Sequence, residues 1–560
     1  MLGRTPFVAL GGIPIGRRRF VQGATAAGGL AALGAVSRPA KALAGMPGGA
    51  SVLSGNSFDL TIGPTPVNIT GRRHIATGVN DTVPGPILRW RQGDTVVLNV
   101  TNRLHVPTSI HWHGIRSPAN MDGVPALSFP GIRPGETFTY RIPLHQSGTY
   151  WYHSHSAFQE QTGLYGAIIV EPRGGYPVVF DRDHVIVLSD WADVDPEQIV
   201  SNLKFQSDYY NFHQRTVGTF FADIRKHGLL STVNDRLQWG RMRMSPTDIA
   251  DVTGHIYTYV MNGQPPAANW TGLFRPGERV RLRFINASSM TFFDVRIPGL
   301  SMSVVEADGN SVVPVDIDEF RIGVAETYDV IVWPTDDRAY TIFAQAEDRS
   351  GYARGTLAPR PGMTGPIPAM DPRPLRTMTD MGMGGMDRGK MTGQSTNAHS
   401  SVRAAPDHAG GMGDMNIMTG GSMPGMNHSD MNGMSMDQAS MAGMDHGGRS
   451  GATMDGMDMR PDPVTRRIQG TPGVDNIAMM PANRLNEPGD GLEGNGRRVL
   501  TYADLRALQP GADPRPPSRE ITLHLTGNME RYMWGFDGKK FSQAEPIRLK
   551  LGERVRFTLI

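Results

Sequence analysis

The sequence predicts an all-β chain: Greek-key sandwiches in tandem, two complete and a third incomplete, interrupted by a disordered methionine-rich insert. Three observations carry this expectation. A glycine-turn phrase appears three times along the chain. Short runs of Val, Ile, Thr, Tyr and Phe are punctuated by Gly, Pro and Asn, as sandwich strands are. One long stretch holds too few branched apolar residues to build a core.

The chain begins with an export signature. Arg17, Arg18 and Arg19 precede Phe20, Val21 and a weakly apolar stretch over residues 24–36. Such a segment is too short and too poor in large side chains to span a bilayer. A twin-arginine pair before it resembles a Tat signal, so residues 1–44 are expected to be removed on export, after Ala42 or Ala44. That implies a periplasmic protein carried by the Tat translocase, with no membrane anchor.

Composition narrows the chemistry. The net charge over 560 residues is +2, which gives no reason to expect a nucleic-acid partner. Cysteine is absent, which removes disulfides, thiolate zinc sites and cysteine nucleophiles. It also removes the copper–thiolate bond of a blue-copper centre from these residues.

The repeated phrase starts at Arg91-Gln92-Gly93-Asp94, at Arg275-Pro276-Gly277-Glu278 and at Lys550-Leu551-Gly552-Glu553, each time followed by a near-alternating apolar run. A period of this length marks a triplicated β domain rather than a solenoid. The expected blocks are residues 45–175, 176–360 and 497–560, joined by an insert and linker over 361–496. Residues 196–240 have few strand-like runs and are expected to carry a helix or long loops. The third block, with 64 residues, is too short to close a sandwich.

Two histidine pairs dominate the first block: His111-Trp112-His113-Gly114 and Trp151-Tyr152-His153-Ser154-His155. In a strand, residues i and i+2 share a face, so each pair sends two imidazoles the same way. On neighbouring strands the four would converge, and four neutral nitrogen donors suit copper, zinc or iron. A single core histidine is usually only hydrogen-bonded, but two such pairs among 16 histidines point to a metal site. His111 lies 18 positions after Gly93. The same step from Gly277 reaches Val295, so the second block is expected to be a metal-free spacer. From Gly552 it reaches about position 570, past Ile560.

Residues 363–459 hold 20 of the 32 methionines, with His399, His408, His428 and His446 among Gly and Asp. Thioethers are soft ligands that favour Cu(I), whereas His and Asp accept Cu(II). The segment is expected to be disordered and to bind additional copper. The bland alternative is a low-complexity tether.

Taken together, these motifs resemble the multicopper oxidases, and among them the periplasmic copper-resistance group. His111-Trp112-His113-Gly114 and His153-Ser154-His155 match that family's first two copper signatures, and Asn120-Met121-Asp122-Gly123-Val124-Pro125 and Tyr532-Met533-Trp534 also read like it. The resemblance implies cupredoxin-like domains, a trinuclear type 2/type 3 copper cluster between the first and third, and a type 1 copper in the third. It implies that His111 ligates the type 2 copper and that His113, His153 and His155 ligate the type 3 pair. Asp122 would stand near the cluster and help deliver protons, without being a ligand; a plain β-turn Asp is the competing reading. The implied activity is oxidation of Cu(I) to Cu(II) with O2 reduced to water, with other periplasmic copper-handling proteins as partners. The third and fourth signatures are absent from residues 1–560. The expectation is therefore a fragment of a longer oxidase, inactive alone, with an early stop as the alternative. A non-enzymatic copper-sequestering protein, a copper-free scaffold and a laccase-like phenol oxidase are the other readings.

Overall fold

The computed structural model describes residues 51–383, 462–478, 483–511, 513–529 and 531–560, with backbone alone at 453–454 and 457–458. The expected Tat signal and most of the methionine-rich segment lie outside the described residues.

The first sandwich is built from nine strands: β1 (Val52–Ser54), β2 (Ser57–Val67), β3 (His74–Val79), β4 (Ile87–Arg91), β5 (Thr95–Asn102), β6 (His111–His113), β7 (Thr137–Pro143), β8 (Gly148–His153) and β9 (Tyr165–Glu171). One sheet runs β3-β2-β5-β7, the other β1-β4-β9-β8-β6. Strand β5 shows why the phrase after Gly93 is a strand: Val96, Leu98 and Val100 are buried and point into the sandwich, and their alternate neighbours are half-exposed. In β8 every residue is buried. Its Tyr150 and Tyr152 face the sandwich core, while Trp151 faces outward into a second apolar cluster with Ile169, Val185, Val187 and Ile285. That cluster is the seam between the first sandwich and the second.

The second sandwich repeats the plan. Its strands are β10 (Arg182–Ala192), β11 (Tyr257–Met261), β12 (Trp270–Leu273), β13 (Val280–Asn286), β14 (Phe293–Arg296), β15 (Met302–Ala307), β16 (Asn310–Ile317), β17 (Glu319–Ile322), β18 (Thr327–Val332), β19 (Tyr340–Ala346) and β20 (Tyr352–Ala358). They form sheets β11-β10-β13-β18-β15-β16 and β12-β20-β19-β14-β17. The parallel pairing of β2 with β5 recurs as β10 with β13, and the antiparallel pairing of β6 with β8 recurs as β14 with β19. The repeated phrase does the same work both times. Its last residue is a buried Asn whose side-chain amide clamps the following loop: Asn102 donates to the carbonyls of Val106 and Ile132, and Asn286 to those of Thr291 and Ile322.

Between β10 and β11 the weakly strand-like stretch folds as three helices, Pro196–Phe205, Val217–His227 and Leu229–Met242. The side chain of Asp195 caps the first and that of Thr216 the second. The third block repeats the parallel pairing again, Arg519–Leu523 against Val555–Leu559, and adds an antiparallel pair, Leu525–Asn528 with Met533–Phe536. Leu549, Leu551, Phe557 and Ile560 are exposed there, so these residues close no sandwich.

One expectation needs correction. Residues 363–383 were expected to share the disorder of the methionine-rich segment, yet they pack on the second sandwich. Asp371 lies 3.1 Å from Arg296 and accepts from the Gln345 amide at 2.6 Å, and Arg497 reaches both Asp371 and the buried Glu319. Composition counted the missing branched residues but could not see buried charges waiting on the partner face.

Candidate metal centre

Strand β6 is three residues long and sits at the edge of its sheet. Trp112 anchors it: the fully buried indole packs against Trp90, Tyr140 and Tyr152 in the sandwich core. Strand parity then sends His111 and His113 to the opposite, outer face. The register pairs His111 with His153 and His113 with Trp151, so three imidazoles and one indole share that face. His155 lies just past the end of β8. Its main-chain N–H donates to Ser109 Oγ at 3.1 Å, and the loop behind it is tied down by Gln159, which accepts from Thr108 and Ser154 and donates to the carbonyl of Pro107.

The four rings converge. Ligating nitrogens of His111, His153 and His155 all lie within 4.8 Å of one another. Ring centroids are 4.7 Å apart for His111 and His155 and 5.0 Å for His153 and His155. His113 joins them, with its Nδ1 3.3 Å from His153 Nε2. The Trp151 indole stacks on His153 at 4.1 Å and walls the group on the side of the second sandwich.

The second nitrogen of two rings is already committed. His111 Nδ1 donates to the main-chain carbonyl of Asp122 at 2.8 Å, which leaves Nε2 with its lone pair. His153 Nδ1 lies 2.6 Å from a carboxylate oxygen of Glu160. Hydrogen-bonded imidazoles of this kind are typical of metal ligands, because the outer partner sets tautomer and ring orientation. The Asp122 contact depends on Gly123, whose φ is +79° and where a Cβ would fall 1.8 Å from the carbonyl oxygen of Ile110. The Asp122 carboxylate is half-buried, accepts from Ser117 Oγ at 3.1 Å and stands 3.6 Å from His111 Nδ1.

Burial favours the neutral form of three of the rings. Burial, reinforced by the imidazoles of His153, His111 and His155, pushes His113 down to about 4. Burial also lowers His111 and His155. Four imidazole donors and no thiolate fit Cu(II) or Cu(I) held by nitrogen, and do not fit hard cations that need oxygen.

All four histidines and Asp122 singled out in the sequence therefore meet in one place. Glu160 and Gln159 were missed: they lie in a loop whose path no local pattern reveals, and no signal in the sequence marked them. The second block carries no imidazole here. Val295, at the matching sequence offset, points into the core, and the outward positions are Asp294 and Arg296, because the loop into β14 is one residue shorter. Asp294 is fully buried against Arg321 and Arg349, an ion-pair cluster in place of a metal site.

Comparison with known proteins shows the family. Family models described as multicopper oxidase match residues 61–175 and 182–360. Copper resistance protein A of Escherichia coli is 55% identical over 547 residues, covering 97% of this chain and 87% of that protein. Copper resistance protein A of Pseudomonas syringae pv. tomato is 56% identical over 544 residues, with the same coverage. A multicopper oxidase of Mycobacterium tuberculosis is 34% identical over 370 residues, 63% of this chain and 69% of that one. Among solved structures, the laccase of Botrytis aclada aligns with a TM-score of 0.44 and 26% identity, covering 57% of this chain and 56% of that one. This chain belongs to the multicopper oxidases and is similar over nearly its whole length to the copper-resistance proteins A.

Proposed function

We propose that the chain carries the histidine centre of a periplasmic, Tat-exported oxidase that serves copper tolerance by converting Cu(I) to Cu(II) at the expense of O2. Four Cu(I) ions lose one electron each, and one O2 takes up those electrons and four protons to give two waters. Copper held by these histidines would supply the redox chemistry. His111 is assigned to the type 2 copper, and His113, His153 and His155 to the type 3 pair. The observation that carries this reading is the pairing of His111 with His153 across β6 and β8, with a His155 nitrogen within 4.8 Å of both and His113 Nδ1 3.3 Å from His153.

The protein's own groups have separable tasks. Glu160 and the Asp122 carbonyl hold the two central rings in one tautomer each. Trp151 and the seam behind it exclude water from one side. The Asp122 carboxylate, next to His111 and partly open to solvent, is placed to hand on protons. Residues 1–560 contain no cysteine, so they supply nitrogen ligands and no thiolate for a type 1 copper. The methionine-rich segment is assigned to holding additional copper.

The test is copper per chain by mass spectrometry for the parent, for His111→Ala with His153→Ala, and for a deletion of residues 384–461. The oxidase reading expects the histidine variant to lose copper that the deletion retains. A chain whose copper vanishes with the deletion and is untouched by the histidine changes is a sequestering protein instead.

A further inference from the structure

The helical excursion between β10 and β11 ends in a hairpin whose apolar side nothing among the described residues covers. Its second helix, Val217–His227, has no buried residue. Its third, Leu229–Met242, buries only Thr232, Trp239 and Met242, the last two against Met383. The remaining large apolar side chains are turned away from that contact. Leu230 and Leu237, two turns apart on the third helix, are exposed, Leu230 to 81%. Val217 and Phe221, one turn apart on the second, are exposed too, Val217 to 74%. At the corner between the helices Gly228 takes a φ of +83° and presents Leu229, also exposed. Single exposed leucines need no explanation, but five large apolar residues gathered on one short hairpin do.

The charges of the hairpin are sorted by sign. Both acidic side chains of the two helices are spent on holding it together. Asp223 accepts from Arg236 at 2.8 Å, and the same guanidinium reaches Thr219 and lies over the Phe220 ring. Asp235 pairs with Arg215 at 2.7 Å. The exposed Arg225, Lys226 and Arg241 meet no carboxylate among the described residues. Arg225 and Lys226 stand in the turn that leads into Gly228, Leu229 and Leu230. An apolar corner therefore carries a cationic collar and no unpaired anion. A protein partner would have to offer an apolar face ringed by acids alone. A bilayer with anionic headgroups offers that combination everywhere on its surface: leucine and phenylalanine enter the acyl boundary, and lysine and arginine meet the phosphates. No described helix is long and apolar enough to cross a membrane, so such attachment is peripheral.

We propose that the 217–242 hairpin docks the protein on an anionic phospholipid surface, with Val217, Phe221, Leu229, Leu230 and Leu237 entering the interface and Arg225, Lys226 and Arg241 on the headgroups. The proposal owes nothing to the oxidase reading. It concerns a surface that shares no residue with the histidine centre.

The test uses the full chain with vesicles of phosphatidylglycerol and phosphatidylcholine in equal parts, and with vesicles of phosphatidylcholine alone. The chain is expected to co-sediment with the first and not the second, and to be released as salt is raised. Leu229→Ser with Leu230→Ser is expected to weaken binding about tenfold or more, and Arg225→Gln with Lys226→Gln by a similar factor. All four side chains are exposed, so the melting temperature is expected to hold in both variants. Because residues 1–560 contain no cysteine, Leu230→Cys takes one environment-sensitive fluorophore at a known place, and Ile75→Cys, exposed on the first sandwich, takes the control label. The label at position 230 is expected to shift to the blue on anionic vesicles and the label at 75 to stay unchanged. Absence of binding, equal binding to both vesicle types, or equal shifts at the two labels overturns the proposal. So does a dimer in sedimentation that Leu230→Ser dissolves, because the hairpin then covers a second copy of the chain.

Discussion

A carboxylate oxygen of Glu160 lies 2.6 Å from Nδ1 of His153, whose ring is stacked on Trp151 and faces His111 across the sheet. This one contact decides which nitrogen of His153 is offered to a metal: with Nδ1 engaged, Nε2 keeps its lone pair. Removing the carboxylate with Glu160→Leu frees the ring to change tautomer and to rotate. Copper affinity at the histidine group is expected to fall about 10–100-fold, measured by chelator competition, with a smaller loss for Glu160→Gln. Unchanged affinity in the leucine variant would show that Trp151 alone fixes the ring.

Gly123 makes the corresponding contact possible for His111. Gly123→Ala puts a methyl group 1.8 Å from the Ile110 carbonyl at a φ of +79°. The turn has to move, and the Asp122 carbonyl with it. The expected loss is about 2 kcal/mol or more of stability, read from denaturant unfolding, together with weaker copper binding.

Acid acts on the copper-free centre through His113. The unfolded ring titrates near 6.5 and the folded one near 4. Above pH 6.5 both states are neutral and nothing is lost. Between 6.5 and 4 the unfolded chain takes up the proton and the folded chain does not, so stability falls with falling pH, by about 2 kcal/mol in all. His113→Gln is expected to flatten this part of the profile. An unaltered slope would assign the acid sensitivity elsewhere.

Asp248 has the opposite sign. Burial, and after it the nearby Asp251, raises its carboxyl to about 7 from an ordinary 3.8. From pH 4 to 7 the unfolded chain has already ionised while the folded chain holds the proton, so stability falls as pH rises. Asp248→Asn is therefore expected to stabilise the copper-free chain by about 2–3 kcal/mol at pH 8 and hardly at all at pH 4. Equal effects at both pH values would refute the assignment.

The seam between the sandwiches is held by charge as well as by the apolar cluster. Fully buried Arg283 meets Asp183 and Asp329 at 2.9 Å each, and also the hydroxyls of Thr149 and Tyr176. Arg283→Ala leaves Asp183 to Arg89 and Asp329 to Arg281 alone, and about 1–3 kcal/mol is expected to be lost. Because Thr149 is on β8, four residues before His153, copper retention is expected to fall with it.

Much of the centre was legible in the chain itself. The His-x-His spacing needs only strand parity to put His111 with His113 on one face, and the recurring Gly-acidic phrase needs only its period to announce repeated β blocks. Offset arithmetic went one residue astray in the second block: it pointed to Val295, although the outward position belongs to Asp294. Loop length shifts register, and one residue exchanges the two faces of a strand.

Alternation along a strand is a local property, so sequence by itself determined the sandwich architecture, the four imidazoles and the absence of a thiolate in residues 1–560. Tertiary structure alone decided that Glu160 meets His153 and that Asp371 closes onto Arg296 and Arg497. Those contacts depend on the paths of loops and on which buried charges lie opposite them, and neither is encoded in any short-range pattern of residues.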